Sequence, residues 1–146
     1  SETTLRLAGI PNVTAVKEAS GDLGQISRVI SGRPAGFGVL SGNDDQTFPV
    51  MMAGGDGVIS VASNIAPVQM VALTEAMMEG RIEVAEDLDK RLSPLFHSCF
   101  VESNPIPVKA GLNLVGLCSG EMRLPLTEAV LSTVEAMRKA IEGLEI

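Results

Sequence analysis

Two hydrophobic periods alternate through the first 65 positions of the chain. Residues 2–9 carry Leu5, Leu7 and Ala8 and stop at Gly9 and Pro11, which predicts the end of a helix. The run Val13-Thr14-Ala15-Val16-Lys17-Glu18-Ala19 is enriched in β-branched residues and predicts a strand over 13–19. Leu23, Ile26, Val29 and Ile30 then fall at helical spacing, so 22–31 reads as a helix closed by Gly32 and Pro34. A second strand is expected over 37–41 and a second helix over 44–53, with Asn43 or Asp44 as its N-cap. A third strand, 58–61, is entered through Gly54-Gly55-Asp56-Gly57, which precedes a strand rather than a helix and so is a turn, not a dinucleotide phosphate cradle. Strand, helix, strand, helix, strand is the order of a parallel sheet with crossover helices.

Beyond residue 65 the pattern is helical throughout. Residues 66–79 form one amphipathic segment containing Val68, Val71, Ala72 and Met77. Residues 82–100 form another, with Ala85, Leu88, Leu92, Leu95 and Cys99 on one stripe and Pro94 as an expected kink. A connector, Asn104-Pro105-Ile106-Pro107, leads to an apolar segment over 108–117. The last helix is expected over 127–145, its stripe of Val130, Val134, Met137, Ile141 and Leu144 packing on the other helices. The chain therefore reads as α/β but helix-dominated, with βα units over 1–65 and a helical region over 66–146. Three parallel strands leave two open edges and little buried area, so the sheet reads as part of a larger one.

Charge and composition narrow the function. The chain has 146 residues and a net charge of −7, which argues against tracking phosphates along a nucleic acid. No apolar run reaches the roughly 18 residues of a membrane span and no signal-peptide pattern opens the chain, so a cytoplasmic protein is expected. Cys99 and Cys118 lack CxxC spacing and read as ordinary thiols. His97 is the only histidine, which excludes a multi-histidine metal site. With no Tyr and no Trp, the chain cannot complete a mechanism that requires a phenol.

The candidate nucleophile is Lys17. It stands near the end of an apparently buried strand, just before Ser20-Gly21-Asp22. Parallel-sheet enzymes place reactive groups at the carboxyl ends of strands. Taking an ammonium out of water is costly, and a lysine in that position tends toward the neutral amine that attacks carbonyls. The plainer alternative is a lysine that ends a strand and reaches solvent. Ser41-Gly42-Asn43-Asp44-Asp45 follows the second strand at the equivalent place. It is either a strand-to-helix turn or, through Gly42, a point of close approach to a small ligand.

Five segments occur here in one order: Val16-Lys17-Glu18-Ala19-Ser20-Gly21-Asp22, Leu40-Ser41-Gly42-Asn43-Asp44, Gly57-Val58-Ile59-Ser60-Val61, Asn104-Pro105-Ile106-Pro107-Val108-Lys109 and Arg123-Leu124-Pro125-Leu126. In order and spacing they resemble the dihydrodipicolinate synthase family, within the class I pyruvate aldolases that fold as (β/α)8 barrels. The last two favour that family over relatives such as N-acetylneuraminate lyase.

The resemblance implies an imine between Lys17 and pyruvate, with the backbone at Ile59 and the glycine Gly42 lining the same pocket. The derived enamine would attack aspartate semialdehyde on the route to lysine, with no metal or organic cofactor. A full barrel takes about 250 residues. The chain therefore resembles only the C-terminal half: strands six to eight of the barrel, their helices and a C-terminal helical region. The family's tyrosine relay, paired threonines, carboxylate loop and second-substrate arginine belong to the other half. A truncated chain, opening inside a helix at Ser1 and weak or inactive alone, is the expectation. Its partners would be further copies of itself or a complementing N-terminal half. Two alternatives remain: a non-catalytic helical oligomerisation module, and a sister pyruvate aldolase with another aldehyde acceptor.

Overall fold

The computed structural model describes residues 1–144. Helix α1 (Glu2–Ala8) leads into β1 (Ala15–Glu18), α2 (Leu23–Gly32), β2 (Gly38–Ser41), α3 (Thr47–Met52) and β3 (Gly57–Val58). Four helices follow: α4 (Pro67–Met78), α5 (Ile82–Ser98), α6 (Ile106–Leu114) and α7 (Leu131–Glu142). The strands form one parallel sheet in the order β1-β2-β3, so β1 and β3 are both edges among the described residues. Asp22 caps α2, its carboxylate accepting from the Gln25 amide at 3.0 Å.

Several elements differ from expectation, each for a local reason. Strand β1 is trimmed to four residues. The 44–53 helix splits into a 3-10 turn, Asp44–Gln46, and α3, and neither Asn43 nor Asp44 caps it with a side chain. Strand β3 ends at Val58 because the chain turns at Ser60 into a 3-10 segment, Ala62–Asn64. The ladder runs only one bond further, from the Ile59 amide to the Ser41 carbonyl at 2.8 Å. The apolar 108–117 segment is helical from Ile106 and stops at Leu114, followed by Gly116 at φ +78°. The last helix starts at Leu131 rather than 127, and its expected end at 145 lies outside the described residues. Pro94 lies within α5, which runs unbroken through it.

Two clusters hold the chain together. Val16, Val39 and Phe37 from one face of the sheet pack with Ala8, Ile26, Val29, Ile30 and Val50 from the helices over it. The second cluster joins α4, α5, α6 and α7 through Met70, Leu73, Leu92, Leu95, Phe96, Val108 and Met137. The Ala85, Leu92, Leu95 and Cys99 stripe of α5 is buried as its spacing implies. The expectation of a strand buried on both faces is corrected: Ala15 and Lys17, on the other face of β1, are exposed.

Two carboxylates bias stability in opposite directions. Burial pushes the Asp56 carboxyl up. Hydrogen bonds from Arg33 and from the Val39 amide at 2.7 Å, with the Arg33 charge, outweigh that and hold it below its ordinary value. Ionised Asp56 therefore stabilises the fold above its unfolded-state value, and this is lost as pH falls through its folded one. Asp89 is the reverse. Burial first, then the charges of Asp45 and Glu86, raise it, and one buried oxygen has no partner among the described residues. Its stabilising share is complete in acid and lost as pH rises through the raised value. Asp89→Asn is expected to lift the unfolding midpoint near pH 7 by about 2 °C and to leave it unchanged in strong acid. Asp56→Asn is expected to lower the midpoint near neutrality, with the deficit vanishing in acid. Thermal melts of both variants across pH decide this.

Candidate active site

The strand register assembles the site. Lys17 pairs with Leu40 and Leu40 with Gly57, while Glu18, Ser41 and Val58 form the next row. One step further along, Ala19, Gly42 and Ile59 complete a third row at the carboxyl ends of the strands. Side chains alternate along a strand, so Lys17 shares a face with Ala19, Gly42 and Ile59, and its arm extends toward their row. Val16 and Val39 point the opposite way, into the core.

Gly42 is shaped by this neighbourhood. It is buried, and its amide donates to the Glu18 carbonyl at 2.7 Å. A β-carbon placed on it would stand 2.5 Å from the Ala19 β-carbon and 3.0 Å from Lys17 Cε. The first separation is one that real β-carbons essentially never show, so glycine is required at this close approach of β2 to Ala19, beside the lysine arm. Ser41 secures the turn beside it: its hydroxyl donates to the Asn43 carbonyl at 2.8 Å and accepts from the Asn43 amide. On the far side of the strand exit Gly21, at φ +76°, turns the chain from β1 into α2.

Ile59 is 46 % exposed and continues the row on the third strand. Its amide is fixed to the Ser41 carbonyl, so its backbone is held even though its side chain faces the open side. The structure thus brings Lys17 and Gly42 into contact and sets Ile59 in the same row as Gly42. Lys17 itself is exposed, contrary to the buried setting expected for it, because this face of the sheet carries no covering layer among the described residues.

Other candidates fall into plainer roles. His97 is exposed on α5, on a cleft of about 580 Å³ that it shares with Gly21, Asn43, Asp45, Phe96 and Phe100. Cys99 is fully buried, and burial, helped by the Asp44 charge, pushes its thiol up to about 12, so it is not a poised nucleophile. Cys118 is also a free thiol, half-buried. Lys109, in the Asn-Pro-Ile-Pro-Val-Lys segment, donates to the Glu121 carbonyl and pins the loop after α6.

One residue was passed over as a cap. Asp44 is 1 % exposed, and Oδ2 accepts from the amides of Val61 at 2.9 Å and Ala62 at 3.0 Å. The only sequence signal was an acidic residue just after the glycine turn. Its partners lie 17 and 18 positions away, beyond the reach of local pattern.

Known proteins share this arrangement. The model of the dihydrodipicolinate synthetase family matches residues 1–144. The 4-hydroxy-tetrahydrodipicolinate synthase of Archaeoglobus fulgidus is 46 % identical over 99 % of this chain and 50 % of its own length. That of Thermotoga maritima is 48 % identical over 97 % of this chain and 49 % of its own. The solved dihydrodipicolinate synthase of T. maritima superposes with a TM-score of 0.95 at 47 % identity, covering 99 % of this chain and half of that one. A monomeric dihydrodipicolinate synthase variant gives 0.94 at 46 % identity, covering 97 % of this chain and 49 % of that one. The chain spans about half the length of the curated relatives it matches. Three parallel strands, helices on one face and a trailing helical region are the C-terminal half of their (β/α)8 barrel. The chain belongs to the dihydrodipicolinate synthetase family.

Proposed function

We propose that Lys17 forms an imine with pyruvate and that the assembled protein condenses it with aspartate semialdehyde. The observation that carries this is the lysine arm laid across a glycine at the carboxyl ends of parallel strands. The names of the relatives, 4-hydroxy-tetrahydrodipicolinate synthases, support the same chemistry. The neutral Lys17 amine attacks the keto carbon, the keto oxygen leaves as water, and loss of a C3 proton gives the enamine. The enamine carbon adds to the aldehyde carbon, whose oxygen becomes a hydroxyl. Cyclisation then frees the lysine, with net loss of one water over the whole reaction. The lysine nitrogen serves as electron sink, so the imine chemistry calls for no metal or organic cofactor. Gly42 and the Ile59 backbone form the floor of the keto-acid site.

The remaining groups belong to a partner. An apolar groove of about 460 Å³, walled by Leu40, Val58, Met70, Val71 and Met78, runs along the open edge of β3. Val68, Val71 and Met78 leave α4 apolar on its outer side as well, which marks a helix built to be covered. The occupant we propose is an N-terminal βα half of the same barrel, since the matched relatives are twice as long.

Three outcomes test this. Incubation with pyruvate and borohydride should add the mass of one reduced pyruvate at Lys17, and a Lys17→Ala chain should take up none. An unmodified wild-type chain at millimolar pyruvate would sink the proposal. Gly42→Ala should cut the trapped yield at least about tenfold, because the new methyl displaces the lysine arm and overpacks Ala19. Purified N-terminal half of the T. maritima enzyme, added to this chain, should raise turnover by roughly 100-fold or more, the scale of positioned acid–base groups. A stable complex without gain in turnover would refute the shared site.

A further inference from the structure

We propose that Asp44 is a positioning residue that holds the Ile59 segment against Gly42 and Lys17. This rests on the Schiff-base proposal for its chemical meaning, while its geometry stands independently. Four bonds tie the strand exits together in series. The Gly42 amide donates to Glu18 on β1, the Ile59 amide donates to Ser41 on β2, and the Asp44 carboxylate accepts from Val61 and Ala62 beyond β3. Ile59 therefore lies between two anchors, one at its own amide and one two residues later.

The placement of a carboxylate here is chemically informative. A buried charge is costly unless it is hydrogen-bonded, and an apolar side chain of similar volume would fill the space at lower cost. What an apolar side chain could not do is receive two adjacent backbone amides on one oxygen. Bonds from N–H groups to a carboxylate are about twice as strong as neutral ones. They also stop β3 at Val58 and turn the chain at Ser60, where the Ser60 hydroxyl accepts from the Ser63 amide at 2.8 Å. The other carboxylate oxygen of Asp44 is buried with no partner among the described residues.

Gly42 and Asp44 stand two residues apart on the β2 exit. The same short segment therefore clears space for the lysine arm and fixes the backbone that faces it. Motion of the Val61–Ala62 turn would carry Ile59 with it, whereas Lys17, on β1, would stay in place. Loss of the Asp44 bonds should then weaken keto-acid binding more than it slows the amine.

Two variants and two readouts test this on the whole chain. Asp44→Asn keeps the size and one acceptor oxygen but removes the charge, and Asp44→Ala removes the acceptor. Amide hydrogen exchange at Val61 and Ala62 should quicken about tenfold in Asp44→Ala and less in Asp44→Asn, with the α2 amides from Ile26 to Ile30 unchanged. In borohydride trapping, half-saturating pyruvate should rise roughly tenfold in Asp44→Ala, while the trapping rate at saturation stays within about twofold. Should Asp44→Ala fail to fold, Asp44→Asn is expected to shift both readouts the same way, by about threefold. Unchanged exchange at Val61 and Ala62, or equal loosening of α2, would overturn the positioning role. A fall in saturating rate with unchanged half-saturation would overturn it as well. A wild-type chain that traps no pyruvate defeats the Schiff-base proposal instead, and the exchange rates still decide whether Asp44 holds the turn.

Discussion

Parallel strands are normally covered on both faces, and among the described residues the sheet has helices against only one. Because successive side chains alternate, that single fact sorts the residues of every strand. Val16 and Val39 enter a core with Ile26, Val29 and Val50, while Ala15, Lys17 and Ile59 stand on the open side. The covered face supplies the packing that keeps the strands in register. The register in turn puts Lys17 two rows below Gly42 and Ile59, on the same face. The chemistry of the open face depends on packing it does not share.

Much of the fold was legible because it is written in short-range periodicity. Ile26 and Val29 of the α2 stripe and Ala85, Leu92 and Leu95 of the α5 stripe are buried where their spacing puts them, while Leu23 at the start of α2 is exposed, and the strand-helix alternation matches the parallel sheet. The errors cluster where long-range bonds overrule local preference. Val58, Ile59 and Val61 are β-branched and apolar, yet the strand stops at Val58 because Asp44 takes the Val61 and Ala62 amides. Val130 continues the apolar stripe of α7 but lies just before the helix, and its amide is bonded to the Glu102 side chain from a distant loop. No window of neighbouring residues carries either contact.

The site was legible in a different way. Lys17, Gly42 and Ile59 came from resemblance, since strand period alone makes Lys17 equally a lysine that ends a strand in solvent. Its exposure here matches that plainer description. Beside the lysine lies Gly42, where a β-carbon would stand 3.0 Å from Lys17 Cε. Residue type could raise Gly42 as a turn or a ligand contact, and the register adds that it shares the face of Lys17. Asp44 was misplaced for the same reason that β3 was overextended. Its bonds span 17 and 18 positions, and a cap is the nearest local explanation for an acid after a glycine turn.

An exposed lysine also bears on how the work of this site is divided. Imine formation needs a nucleophile, room beside it and a fixed surface for the keto acid, and all three requirements fall on β1, β2 and β3. Proton transfer is a separate demand, met by groups placed within hydrogen-bond reach and contributing about 10²–10⁴-fold. No phenol exists in this chain to supply it, and the lone histidine, His97, sits on a cleft beside Phe96 and Phe100 on α5. The open face is where such groups would have to enter, carried on strands that pair with the free edges of β1 and β3. Covering that face would also exclude water from around the lysine. Closing the barrel would thus enclose the lysine and deliver acid–base partners in one step. Under the proposed chemistry the half seen here would set where the bond forms, and the covering half how fast.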